Sequence, residues 1–426
     1  MKSNRMKLAI LILFALIAGC GGSGGTTFNG NGGSGSSSGG SGSGGGSGVV
    51  SSPTITGPNV LPITVNGSLC SASTSVDYPN KPCVSVTVCT PGTSGTGNCQ
   101  NISDILLDTG SWGLRIYKSA LSAPLAASLI PVTVSSIPVA ECAEFGGGTS
   151  LWGPVQLADV TLGTEIAPSV PIQVIDSTFG TVPGACGTPE ASPSAAGFTG
   201  ILGVGVFAQD CGSPCTSHAN NGMYYSCSGL ICTGTTIPLL SQVQNPVVSL
   251  PTDSNGLMVQ LPSIPSGGAT AANGYLVLGI GSQSNNIPTG VKTYPTNSIS
   301  EFITTLTGTT TSYPSFIDSG SNGLFFQPLS ASQLPTCSGW FCPSTTQNLS
   351  ATNTGSTGSP MGLVSFQIAN ANLLFYTGNN AFNDLGAYLP GNFDWGLPFF
   401  YGRTEYVWIG IEGQTSTLGA GPYWAY

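Results

Sequence analysis

The apolar residues of this 426-residue chain recur mostly at every second position or in short unbroken runs, a rhythm of strands rather than of long helices. Alternation predicts strands over 60–65, 84–89, 155–162, 170–175, 274–279 and 405–411, while only 121–129 and 238–243 read as short helices. The glycine-dense stretch Phe145-Gly146-Gly147-Gly148 reads as the tip of a hairpin. Within this pattern two stretches are versions of one another. Ile105-Leu106-Leu107 runs into Asp108-Thr109-Gly110-Ser111, and Ser315-Phe316-Ile317 runs into Asp318-Ser319-Gly320-Ser321. Each is followed downstream by an apolar segment carrying a Gly, over 198–205 and 393–400. The same order of features occurs twice, which predicts two unequal copies of one half-fold.

Composition sharpens the class. Charged residues make up 6% of the chain, with 62 Gly and 31 Pro, as suits many short strands joined by turns. Eight basic residues against a net charge of −9, with no basic cluster after the first seven positions, argue against nucleic acid as a partner. Lys2, Arg5 and Lys7 precede an apolar run over 8–18 that is too short to span a bilayer, so residues 1–20 read as a targeting segment. Residues 21–52 are mostly Gly and Ser, a flexible tether with a reach of roughly 30 Å. Residues 53–426 then read as one folded unit, with a first lobe over about 53–250 and a second over about 251–426.

Thirteen cysteines less Cys20 leave an even dozen, and disulfides are the default in an exported chain. Cys70, Cys83, Cys89 and Cys99 form one local group, and Cys211, Cys215, Cys227 and Cys232 a second. Cys337 with Cys342 and Cys142 with Cys186 complete the set. The spacing Cys211, Cys215, His218 matches no standard zinc knuckle, so His218 reads as an ordinary loop residue and neither metal nor cofactor is expected. His218 is also the only histidine. A His-dependent hydrolase would have to use it as the base, and no nucleophile elbow occurs outside the Gly/Ser tether, which leaves carboxylates as the candidates for hydrolytic chemistry.

Taken together, these motifs resemble the pepsin-like aspartic protease superfamily. Asp108-Thr109-Gly110-Ser111 and Asp318-Ser319-Gly320-Ser321 look like its two catalytic loops, and Phe145-Gly146-Gly147 falls where that family has its flap. The segments at Gly203 and Gly396 are similar to those that thread beneath the two loops. Leu16-Ile17-Ala18-Gly19-Cys20 resembles a bacterial lipobox, and the whole is similar to a bacterial lipoprotein family of unknown function within that superfamily.

The resemblance implies an all-β, bilobal fold of two related barrel-like lobes with few short helices. It also implies catalytic roles for Asp108 and Asp318. Two carboxyls roughly 3 Å apart cannot both ionise, so one activates water while the other donates a proton. Thr109 and Ser319 would cross-link the loops, Ser111 and Ser321 would orient the outer carboxylate oxygens, and Gly110 and Gly320 would permit the turns. Lipidation at Cys20 would anchor an exported monomer to the envelope, on the outer membrane, where its partner is a protein or peptide substrate. The chain departs from the family where Phe145 stands in place of the flap tyrosine and Arg115 lies near the position of that tyrosine's usual tryptophan partner, so the pair is missing. Arg115 reads as a solvated strand residue, and Trp112 as a side chain crowding the cleft. A peptide-binding descendant without activity, and a structural lipoprotein, are the competing classes.

Overall fold

The computed structural model describes residues 48–71, 78–146 and 148–426. Cys20, most of the tether and Gly147 lie outside the described residues. The fold is all-β and bilobal, with short helices, as the motifs imply. In the first half, β1 (Val60–Val65), β2 (Pro82–Cys89) and β3 (Cys99–Asp108) lead to the first Asp turn, and β4 (Trp112–Tyr117) leaves it. A hairpin of β5 (Ile137–Glu144) and β6 (Ser150–Leu162) follows, then β7 (Glu165–Ile175) and β8 (Gly200–Val204).

The second half begins with β9 (Gly256–Gln260), β10 (Ala272–Leu278) and β11 (Thr293–Pro295). Next, β12 (Phe302–Leu306) and β13 (Ser312–Ile317) reach the second Asp turn, and β14 (Leu324–Phe326) leaves it. The lobe is completed by β15 (Gln347–Thr354), β16 (Met361–Ile368), β17 (Gly386–Tyr388) and β18 (Phe393–Trp395). The chain closes with β19 (Val407–Gly410) and β20 (Tyr423–Ala425).

Two features place the Asp turns. The first is repetition: β8 inserts between β3, to which it is parallel, and β4, to which it is antiparallel, with Gly203 opposite Asp108. In the second half β18 inserts between β13 and β14 with the same directions, Trp395 lying opposite Ile317. A side chain is not admissible at the crossing. A Cβ on Gly396 would lie 2.0 Å from the Gly323 carbonyl, and one on Gly203 would lie 2.7 Å from the Trp112 nitrogen. The second feature is a shared antiparallel sheet in the order β2–β1–β10–β9–β19–β20–β11. It ties the chain's beginning to its end, and one buried apolar cluster runs through both halves, from Ile105, Leu107 and Leu202 to Ile317, Leu324 and Trp395.

The expected strands are found: 60–65 with the same bounds, 84–89, 155–162 and 170–175 within longer strands, 274–279 as Ala272–Leu278, and 405–411 shortened to Val407–Gly410. Residues 155–162 are the end of the longer β6, and the turn follows Leu162. Asp159 is buried within the strand, where its carboxylate accepts from the backbone N–H groups of Gly92, Thr93, Ser94 and Ser169. The helix expected over 121–129 is α1 (Ala123–Ser128). That expected over 238–243 is a single tight turn, Leu239–Ser241, because Leu240 faces solvent and no apolar face is buried to support a longer helix. Six disulfides link the described cysteines: 70–83, 89–99, 142–186, 211–215, 227–232 and 337–342, all within the expected groups. Cys211 and Cys215 bond each other, and His218 is exposed in a loop.

Candidate active site

Asp108 ends β3 and Asp318 follows β13, so each carboxyl leaves a buried strand at a tight turn. Both are fully buried. The turns meet face to face. The Thr109 hydroxyl donates to the Ile317 carbonyl (2.9 Å) and accepts from the Ser319 N–H (2.9 Å). The Ser319 hydroxyl reciprocates, donating to the Leu107 carbonyl (2.7 Å) and accepting from the Thr109 N–H (3.1 Å). Four buried bonds thus lock the loops through side chains only Thr and Ser could supply here, since each hydroxyl must both donate and accept. Gly110 is obligatory, because a Cβ there would sit 2.5 Å from the Asp318 carboxyl carbon.

The carboxyls lie close enough for each to shift the other's titration. One oxygen of Asp108 accepts from the Gly110 N–H (2.8 Å) and the other from the Ser111 hydroxyl. One oxygen of Asp318 accepts from Gly320 N–H (2.7 Å) and Ser321 N–H (3.2 Å), and the other lies 2.9 Å from the Ser321 hydroxyl. Burial drives the Asp318 carboxyl well above the usual carboxylate range, and the neighbouring Asp108 and Asp394 carboxyls add to the push. Burial raises Asp108 too, but bonds from Asp318, Ser111 and Gly110 and the charge of Arg115 pull back. Both carboxyls are thus raised by burial, Asp318 further than Asp108.

Arg115 is not the solvated residue its sequence position suggested. It is buried, with Nη2 at 2.6 Å from Glu141 Oε1 and 2.9 Å from Asp210 Oδ2, and Nη1 donating to the Trp112 carbonyl. Two carboxylates on one cation would leave a net buried charge. Burial and the neighbouring Glu141 raise Asp210 well above its ordinary range. Trp112 does not crowd the cleft either. Its ring is buried against Phe207, 4.9 Å between centroids.

The tip after β5 is a hairpin, with Phe145 N–H donating to the Thr149 carbonyl. Gly146 is exposed, whereas Phe145 turns inward into a cluster with Leu106, Tyr117, Phe198 and Tyr78. Tyr78 is a site residue that strand periodicity gave no reason to single out. Its hydroxyl donates to the carbonyl of Gly320, within the second Asp turn. Burial and the neighbouring Asp318, Asp108 and Asp394 carboxyls hold its phenol protonated. The next anchor is Asn80, whose side chain donates to the carbonyls of Asn322 and Phe382 and accepts from the Phe382 N–H and the Tyr401 hydroxyl. The stretch from Tyr78 to Asn80 therefore comes from the first half and is pinned onto the second, beside the paired carboxyls. Asp394, buried on β18, was equally missed; an Asp inside the apolar run 393–400 was its one visible signal.

Comparison with known proteins adds the following. Among solved structures, the crystal structure of the aspartic proteinase from Irpex lacteus aligns at 17% identity with a TM-score of 0.44, over 80% of this chain and 91% of that chain. No curated protein sequence matches. A family model described as "Protein of unknown function (DUF3443)" matches residues 56–426, so nearly the whole described structure, with both Asp turns, belongs to that family.

Proposed function

We propose that this chain is a membrane-tethered aspartic endopeptidase, a member of the pepsin-like superfamily that hydrolyses peptide bonds in the cell envelope. The observation that carries the reading is the pair of adjoining, buried carboxyls set on reciprocally cross-linked loops. In this mechanism Asp108, the charged member, takes a proton from water as it attacks the peptide carbonyl. Asp318, the protonated member, donates to the carbonyl oxygen; as the resulting diol collapses, Asp108 gives the proton it took from water to the departing amine and Asp318 recovers its own from the diol hydroxyl. Ser111 and the Gly110 N–H keep Asp108 oriented, and neither role calls on a histidine. The Cys20 lipid anchor and the tether belong to this proposal as well. Among the described residues no helix is long and apolar enough to cross a membrane.

A second reading, a non-catalytic lipoprotein that holds a peptide or envelope component in its cleft, is favoured by Tyr78, whose hydroxyl occupies the Gly320 carbonyl next to fully buried carboxyls. A peptide-library cleavage assay over roughly pH 3–7, where carboxyl pairs titrate, separates the two. Cleavage that a statine-type inhibitor blocks, and that Asp108→Asn reduces by about 100- to 10,000-fold, is expected. Cleavage persisting in Asp108→Asn would sink the two-Asp mechanism. Tight peptide binding with no cleavage at any pH would move the conclusion to the second reading.

A further inference from the structure

The two serines that follow the Asp turns do not have the same surroundings. The Ser111 hydroxyl bonds Asp108 alone. The Ser321 hydroxyl lies between two carboxyls, 2.9 Å from Asp318 Oδ2 and 2.6 Å from Asp394 Oδ2. A hydroxyl has one hydrogen, so it can donate to only one of them; the other contact needs a proton on a carboxyl. Asp394 is placed for this by the strand register, opposite Phe316 on β13 and Phe325 on β14. It is fully buried, and its remaining oxygen, Oδ1, has no hydrogen-bond partner. Among the described residues no Lys or Arg forms an ion pair with it. An ionised carboxylate left in that state is far more costly than a neutral one.

We propose that Asp394 is a third carboxyl of this site, a positioning residue that shares the Ser321 hydroxyl with Asp318 and keeps a second proton there. With the proton on Asp394 Oδ2, that group donates to Ser321 Oγ, and Ser321 donates its own hydrogen to Asp318 Oδ2. Passing both hydrogens one bond along leaves Asp394 as carboxylate and Asp318 as the acid, with the count unchanged. On the endopeptidase reading, on which this consequence rests, Asp394 backs Asp318 with this second proton while Asp318 has lent its own to the substrate. The charged and titratable groups around Asp394 point the same way. Asp318 and Asp108 face it from the two turns and Tyr78 from the stretch pinned above, while the Arg115 cation acts on Asp108. Burial is the main force holding Asp394 neutral, and the charge of Asp108 adds to it.

Carbon-13 NMR of Asp side-chain carboxyls in the full chain, titrated from acid to neutral pH, tests this without requiring turnover. Signals are assigned by substitution. Wild type is expected to retain two protonated carboxyls among Asp108, Asp318 and Asp394 at pH 6. Asp394→Asn should retain one, with the Asp318 midpoint little changed, because a neutral Asp394 carries no charge for the substitution to remove. An Asp318 midpoint moved a full pH unit to acid, or an Asp394 signal that ionises near pH 4, would overturn the proposal. Should Asp394→Asn not fold, Ser321→Ala keeps both carboxyls and cuts the bridge. It should raise the Asp318 midpoint, because a donor to that carboxylate is lost, and no movement would again overturn it. Peptide cleavage measured on the same samples reports on the endopeptidase reading separately, since the titration stands whether or not any peptide is cut.

Discussion

Asp108 and Asp318 occupy matching turns, yet their neighbours differ, and Asp318 is raised further than Asp108. Asp108 has a serine of its own and the Arg115 cation behind it; Asp318 shares its serine with Asp394. Elsewhere, too, single carboxyls are set by burial. Asp384 is nearly buried with one oxygen unpartnered, and burial lifts it to about 6. Because the folded value lies above the unfolded one, its contribution is fully present below about pH 4 and is lost as pH rises through 6. Asp384→Asn should remove a stability loss of about 3 kcal/mol over that window. Urea unfolding of both proteins at pH 4 and pH 7 checks it, and equal pH slopes would refute the assignment.

At the scale of elements, the lock between the turns is the interaction on which the site geometry depends. Neither β3 nor β13 could hold its Asp in register with the other by apolar packing alone, since packing does not discriminate a shift of a few tenths of an ångström at a loop. Hydrogen bonds with defined directions do. Thr109→Val keeps the shape of the side chain but strands the Ile317 carbonyl and the Ser319 N–H in a dry interior. A loss of about 3 kcal/mol is expected. Ser319→Ala removes the other half of the same network, so the double variant should lose less than the two singles combined, by about 0.5–3 kcal/mol. A double-mutant cycle by denaturant unfolding measures it; strict additivity would mean the two halves act independently.

For the whole molecule, the shared sheet and the Asn80 contacts do different jobs. The sheet joins the halves through strands from both ends of the chain, whereas Asn80 fastens one short stretch across the site. Asn80 has a left-handed backbone (φ 57°), which Asn tolerates and Gly adopts freely. Asn80→Gly therefore removes the side chain without straining the turn. It should release Tyr78 from Gly320 and speed amide exchange at 318–321 by roughly tenfold or more, with a stability loss of about 2–4 kcal/mol. Exchange mass spectrometry reads this directly, and unchanged protection of 318–321 would show that the cover is held by other contacts.

Much of this was legible before any coordinates. Period-two alternation marked the strands, because one buried face forces it, and the repeated Asp turns with downstream glycines marked two related halves, because a close crossing excludes any side chain. Cysteine spacing marked the local disulfide groups, since short loops close most readily. The tertiary structure alone decided the surroundings of individual polar residues. Arg115 looks solvated in a strand pattern, and only the arrival of Glu141 and Asp210 from 26 and 95 residues away makes it a buried cation. Tyr78 and Asp394 have no local signature, for their roles come from meeting Gly320 and Ser321 across the fold. Local pattern reports which face of a strand is buried. Which charge or hydroxyl waits on that face depends on long-range register, and short-range periodicity does not carry it.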